Sequence, residues 1–175
     1  MALAKVFSER KEYMGKDPLK IRLDEGVHAI VGVNKRLIVT CSHITFVGKG
    51  KAQSTIRGGF SVTNQQHVKF EELAVMNPSG HGFYLEGSDE QCCVEVHCQR
   101  GRTGMWVQDR ATVTATQCEF MGNRQSGVYC DGATTKNKIE RLHDAFRAVV
   151  DLHGTKKQSS IPTSVMVFVQ YIVVK

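Results

Sequence analysis

The sequence predicts an all-β solenoid: about five stacked coils, each of three short strands and three turns, wound as a parallel β-helix. Two observations predict it. A glycine-led block recurs along the middle of the chain, as Gly59-Phe60-Ser61-Val62-Thr63, Gly82-Phe83-Tyr84-Leu85-Glu86, Gly104-Met105-Trp106-Val107-Gln108 and Gly127-Val128-Tyr129-Cys130-Asp131, with glycines 23, 22 and 23 residues apart. Within each block apolar residues alternate with period 2, the signature of a strand with one buried face, and lack the 3.6 period that helical repeats need.

The elements follow in chain order. Leu3, Val6, Phe7, Tyr13 and Met14 fall near one face of a helix, which predicts a short capping helix over residues 2–14 inside an N-terminal cap of residues 1–19. Arg36-Leu37-Ile38-Val39-Thr40 is the block one period before Gly59, without its glycine. The inward ladder is then Leu37, Phe60, Phe83, Met105 and Val128 beside Val39, Val62, Leu85, Val107 and Cys130. A second strand per coil is marked by Ile44/Phe46, Val68/Phe70 and Val113/Ala115, and its copy near Cys92–Val94 is out of step by about one residue. A third is marked by Leu73/Val75, Val96/Cys98 and Cys118/Phe120. Each strand then pairs with its own copy in the next coil, roughly 4.8 Å away. The β-helix is expected over residues 20–135.

After Gly132 the block does not recur; a sixth copy would place a glycine near position 149 or 150, where two valines stand. Ile139, Leu142, Phe146, Val149, Val150 and His153 have helical spacing and Gly154 is a stop, which predicts a C-terminal helix over about 138–153. Val165 to Val174 has strand composition. Residues 136–175 therefore read as a cap, or as a truncated or altered end.

Composition narrows the class. The chain has 175 residues, 41% hydrophobic and 23% charged, which is one domain's worth of core rather than a disordered chain. Charged residues in Met1 to Asp17 and the absence of a long apolar run predict an intracellular protein (cytoplasmic or nuclear) with no signal peptide, membrane span or membrane partner. The net charge of +6 is not concentrated on one working segment: residues 60–132 hold 5 basic against 9 acidic residues, and both ends are basic. Nucleic acid is not an expected partner. Cysteines 41, 92, 93, 98, 118 and 130 contain no C-x-x-C pair, so they read as core hydrophobes rather than zinc ligands or disulfides. The seven histidines contain no H-x-x-x-H pair, and His43 and His67 occupy equivalent turn positions. No metal and no cofactor is expected. Nothing in the sequence sets the oligomeric state.

The phrase Ile44-Thr45-Phe46-Val47-Gly48-Lys49-Gly50, with Thr55-Ile56-Arg57-Gly58-Gly59 and the Gly-x-aromatic rungs, resembles the right-handed parallel β-helix (pectin-lyase-like) superfamily. The rungs are most similar to the small β-helix repeats shared by carbohydrate-active enzymes and F-box substrate adaptors. The resemblance implies a right-handed solenoid. It also implies either a recognition surface or a polysaccharide lyase or glycoside hydrolase.

If alternate residues point inward, Ile38, Ser61, Tyr84, Trp106 and Tyr129 point outward, flanked by Thr40, Thr63, Glu86, Gln108 and Asp131. Stacked aromatics beside carboxylates and an amide form a flat platform suited to the apolar C–H faces and hydroxyls of sugars. Tyr84, Trp106, Tyr129, Glu86, Gln108 and Asp131 are the candidate ligand-binding residues. No catalytic residue is assigned. Glu86 and Asp131 stand two rungs apart, roughly 9–10 Å by ladder spacing, but Gln108 lies between them. Asp89, Asp109 and Asp131 fall at turns without forming the clusters that lyases and glycosidases of the superfamily use. Arg100, Arg102, Arg110 and Arg124 can supply a base or an anion site, though ordinary surface charge accounts for them. The expected function is a non-catalytic module binding a glycan or a protein segment along the aromatic ladder, with a lyase or hydrolase as the alternative.

Overall fold

A computed structural model describes residues 19–88, 91–109, 111–131, 136–140 and 150–153. Five full coils run in order: β1 (Leu19–Arg22), β2 (Gly26–Ala29) and β3 (Arg36–Val39); β4 (Ile44–Val47), β5 (Ser54–Arg57) and β6 (Gly59–Thr63). Then come β7 (Val68–Glu71), β8 (Ala74–Met76) and β9 (Phe83–Glu86), followed by β10 (Gln91–Val94), β11 (His97–Gln99) and β12 (Thr103–Gln108). The fifth coil is β13 (Thr112–Thr116), β14 (Glu119–Met121) and β15 (Ser126–Asp131), and β16 (Lys136–Glu140) and β17 (Val150–His153) continue beyond it. The strands form three sheets, β1-β4-β7-β10-β13-β16, β2-β5-β8-β11-β14 and β3-β6-β9-β12-β15-β17. These are the first, second and third sheets. Every pairing is parallel, as a solenoid requires.

The inward ladder is as the period-2 pattern dictates. Phe60, Phe83, Val62, Leu85, Val107 and Val128 are fully buried, with Leu37, Val39, Met105 and Cys130 nearly so. Coil spacing stacks aromatic rings in the first and third sheets. Phe46 lies 5.3 Å from Phe70 and Phe60 lies 5.6 Å from Phe83, each pair nearly parallel, while Phe60 and Phe70 interlock at 4.7 Å. Cys41, Cys93, Cys98, Cys118 and Cys130 are buried. Burial raises the Cys98 thiol pKa well above its ordinary value, consistent with a core role.

Single left-handed residues turn the corners. Asn64, Gly87 and Asp109 leave the third sheet, and Glu72, Glu95 and Gln117 leave the first, all with φ between 51° and 55°. The repeated glycine has a different cause. A Cβ on Gly82 would lie 2.6 Å from the carbonyl oxygen of Gly104, and one on Gly104 would lie 2.5 Å from that of Gly127. The next coil's backbone fills the space a side chain would need.

Two expectations are corrected. The rung near Cys92–Val94 is not out of step: Gln91 and Cys93 take the inward positions, with Gln91 in register with Val113 and Cys93 with Phe70. The C-terminal helix is not formed where the structure describes its span. Lys136–Glu140 and Val150–His153 are strands, pairing Ile139 with Ala115, Val150 with Val128 and Leu152 with Cys130. The open edges of β13 and β15 offer a full ladder of hydrogen bonds, and that outweighs a helical spacing of apolar residues. Val150 thus takes the next place after Val128 without the glycine block. The predicted helix over 2–14 and the strand-like Val165–Val174 lie outside the described residues. Among the described residues no helix is long and apolar enough to cross a membrane.

Candidate functional site

The outward face of the third sheet brings the six candidate residues together. Tyr84, Trp106 and Tyr129 occupy one column in register, and Glu86 pairs with Gln108 in the next. Asp131 follows in that second column, one coil beyond Gln108. All six are partly buried, whereas Ile38 at the head of the aromatic column is 63% exposed. The backbone register places Asp151 after Tyr129 and His153 after Asp131.

Gln108 organises the centre. Its Nε2 donates to the Tyr84 hydroxyl at 2.7 Å and to Glu86 Oε1 at 3.2 Å, and its Oε1 accepts the Trp106 indole N–H at 2.9 Å. The Tyr84 hydroxyl donates to Glu86 Oε2 at 3.3 Å. Burial, then the charges of Glu86 and Asp109, raise the Tyr84 pKa above its usual value, so the phenol stays protonated and donating. The platform is not flat. Trp106 and Tyr129 have ring centroids 4.5 Å apart with planes tilted by 50°.

One edge of the face is basic. His81 packs edge-on against Trp106 at 4.8 Å, and the Arg36 guanidinium lies 5.4 Å from the Tyr84 ring centroid. Burial first, then Arg36 and Arg102, lower the His81 pKa to about 4. The neutral imidazole is therefore the resting form. The opposite edge carries Glu86, Asp109 and Asp131. Sequence reasoning did not single out Arg36 or His81. The available signal was positional, since His81 stands where the next two coils have Thr103 and Ser126, a buried polar column.

Elsewhere the histidines are structural. His43 and His67 stack at 4.6 Å as their equivalent turn positions imply. His97 meets Glu119, which also receives Lys51. Among the described residues no group of three or more His, Cys, Asp or Glu side chains is placed to hold a metal ion. Asp89 and Arg110 lie outside the described residues.

A search of the curated proteins found no match, and a search of the solved structures found none. Residues 35–143 match the family model described as a right handed beta helix region. That span covers more than half of the chain and runs from the turn before β3 through β16. With a parallel three-sheet solenoid over the same residues, the chain belongs to the right-handed β-helix family.

Proposed function

We propose that this chain is a non-catalytic recognition module that binds a carbohydrate chain along the face bearing Tyr84, Trp106 and Tyr129. The observation that carries the reading is the aromatic column itself: one ring per coil, half-buried, held on a rigid ladder and flanked by Glu86 and Gln108. Sugar rings offer apolar C–H faces to aromatic groups and hydroxyls to carboxylates and amides. An extended protein segment is the weaker occupant. Peptides commonly add to a sheet through unpaired backbone groups at an edge, and this face belongs to strands paired on both sides. Glu86 is engaged by Tyr84 and Gln108, an arrangement suited to accepting hydroxyl hydrogens.

The test uses Trp106, the only tryptophan in the chain. Its emission is followed while neutral oligosaccharides, polyuronates and extended peptides are titrated in turn. Saturable protection from acrylamide by a carbohydrate, weakened about tenfold by Tyr84→Ala and by Tyr129→Ala, supports the reading. Protection by peptides alone, or turnover of a polysaccharide, overturns it.

A further inference from the structure

We propose that the corner where the second sheet passes into the third is an oxyanion subsite, built from Arg36, His81 and Arg102, for a sulfate or phosphate ester on the bound carbohydrate. The proposal rests on the carbohydrate reading above and names the chemical class of that ligand.

The site follows from the glycine column. Arg36 opens β3 in register with Gly59, and the same column continues through Gly82, Gly104 and Gly127. With no side chains on the coils that follow, Arg36 lies along the bare strip and reaches Tyr84 two coils away. Its Nε comes within 4.0 Å of the Cβ position of Gly80. The backbone N–H of Arg102 donates to the carbonyl of the same Gly80 at 2.7 Å, and His81 is the next residue. Gly80 thus joins the Arg36 side chain to the Arg102 backbone beside His81; the exposed Arg102 side chain donates from Nε to Gln125 Oε1 at 2.7 Å, and its charge still acts on His81. Arg124 braces this turn by donating from Nη2 to the Pro78 carbonyl at 2.6 Å.

Two features point to an anion as the ligand. First, positive groups converge here without a carboxylate. The ion pairs among the described residues engage Lys49, Lys51 and His97, none at this corner. The charges that act on His81 are those of Arg36 and Arg102, while Glu86 and Asp109 act on the Tyr84 hydroxyl. Second, Arg36 Nε and His81 Nδ1 are buried without a hydrogen-bond partner, in a histidine only 7% exposed. Buried polar nitrogens are ordinarily paired, and a tetrahedral oxyanion supplies several acceptors at once, to Arg36 Nε and to His81 in the form that carries a proton on Nδ1. The field that now keeps His81 neutral would be reversed by such an anion. Trp106 borders the imidazole, so an ester seated here belongs to a sugar lying on the aromatic column.

The experiment compares dextran with dextran sulfate, which share a backbone and differ in the ester, against the intact chain at constant ionic strength. Binding is read by Trp106 emission and by calorimetry. The expected result is tighter binding of dextran sulfate, weakened about tenfold by Arg102→Gln, whose side chain is exposed, and by Arg36→Gln. Arg102→Gln should leave dextran binding unchanged, whereas Arg36 also lies against the Tyr84 ring, so for Arg36→Gln the readout is the lost preference for dextran sulfate over dextran. Lys69→Gln removes the same charge from the exposed surface of the first sheet and should leave both ligands within about twofold. Added sulfate should also move the His81 ring-proton titration upward from about 4. Equal binding of the two dextrans overturns the subsite while leaving the aromatic column in place. Binding of neither removes the subsite and the column together. An equal loss in Lys69→Gln reduces the effect to net charge and overturns the proposal. Displacement of dextran sulfate by micromolar inorganic sulfate, or tighter binding of a single-stranded oligonucleotide of equal charge, overturns the assignment to a carbohydrate ester.

Discussion

His81 sets the edge of its imidazole against the indole of Trp106, with centroids 4.8 Å apart and planes at 72°. The contact couples a titrating group to the only tryptophan. The folded-state pKa of His81 is lowered from 6.5 to about 4, by burial first and then by Arg36 and Arg102. Between those values the unfolded chain binds a proton that the folded chain refuses. Stability therefore falls as pH drops through this window and is unaffected above it. The full effect is on the order of 3 kcal/mol for a shift of this size. His97, lowered by its own burial, acts in the same direction. Urea midpoints at pH 7, 5.5 and 4.5 should decline, and His81→Gln should remove part of the slope. Trp106 emission should drop as the imidazolium forms, and that quenching should vanish in His81→Gln. A wild-type midpoint that stays flat across the range would show that His81 is not shielded.

Phe83 reports on strand register. It is fully buried, nearly parallel to Phe60 at 5.6 Å and edge-on to Phe70 at 4.8 Å. Phe83→Ala removes the ring that ends the Phe60 stack and abuts Phe70, in the middle of the solenoid where coils above and below cannot close over the gap. The expected loss is about 3–5 kcal/mol by chemical denaturation. Tyr84→Ala, one residue along and on the opposite face, should cost less than half as much. Equal costs would mean that the two faces are not distinguished as described.

These two neighbours also show what the sequence makes legible. Period 2 sorts inward from outward residues, and a 22–23 residue repeat puts like positions in register, so the ladder through Phe60, Phe83 and Met105 can be read directly. The pattern breaks where a polar residue takes an inward place. Gln91 does so because its Nε2 reaches the Gln65 carbonyl at 3.0 Å, a partner known only once the coils are stacked. Ile139 and Val150 have helical spacing yet lie in strands for a related reason: the edges that recruit them are made by β13 and β15, not by local propensity. At the candidate site the column of Tyr84, Trp106 and Tyr129 was visible, but ring tilts and the bridging role of Gln108 depend on rotamers. The reach of Arg36 to Tyr84 depends on what the intervening glycines lack, which no local window displays.

Two glycines separate space from backbone conformation. Gly122 has φ +57° with nothing within 4 Å of a built Cβ, so Gly122→Ala meets only the left-handed penalty, less the gain from a stiffer unfolded chain. A loss of about 1 kcal/mol is expected. Gly104 has an ordinary φ, but a Cβ there lies 2.5 Å from the Gly127 carbonyl oxygen and 2.8 Å from Phe120 Cδ1. Gly104→Ala must push two coils apart and should cost about 3 kcal/mol or more. If equilibrium denaturation ranks the two the other way, the glycine repeat does not exist for close coil approach.

Gln108 joins Trp106, Tyr84 and Glu86 through one amide, and two substitutions separate its roles. Gln108→Leu keeps the bulk and removes every bond. Because the site is partly exposed and water replaces some partners, the expected loss is about 0.5–1.5 kcal/mol. Trp106 should become more accessible to acrylamide. Gln108→Glu keeps an acceptor for the indole but sets a carboxylate between Glu86 and Asp109. Like charges raise carboxyl pKa values in the folded state, so the folded chain then binds more protons than the unfolded chain. By linkage, the difference in stability from wild type should be largest at neutral pH and shrink as pH falls toward the carboxylate range. That trend is opposite in sign to the wild-type decline caused by His81. A Gln108→Glu penalty that does not change with pH would mean that Glu86 and Asp109 are too far away, or too well solvated, to act on position 108.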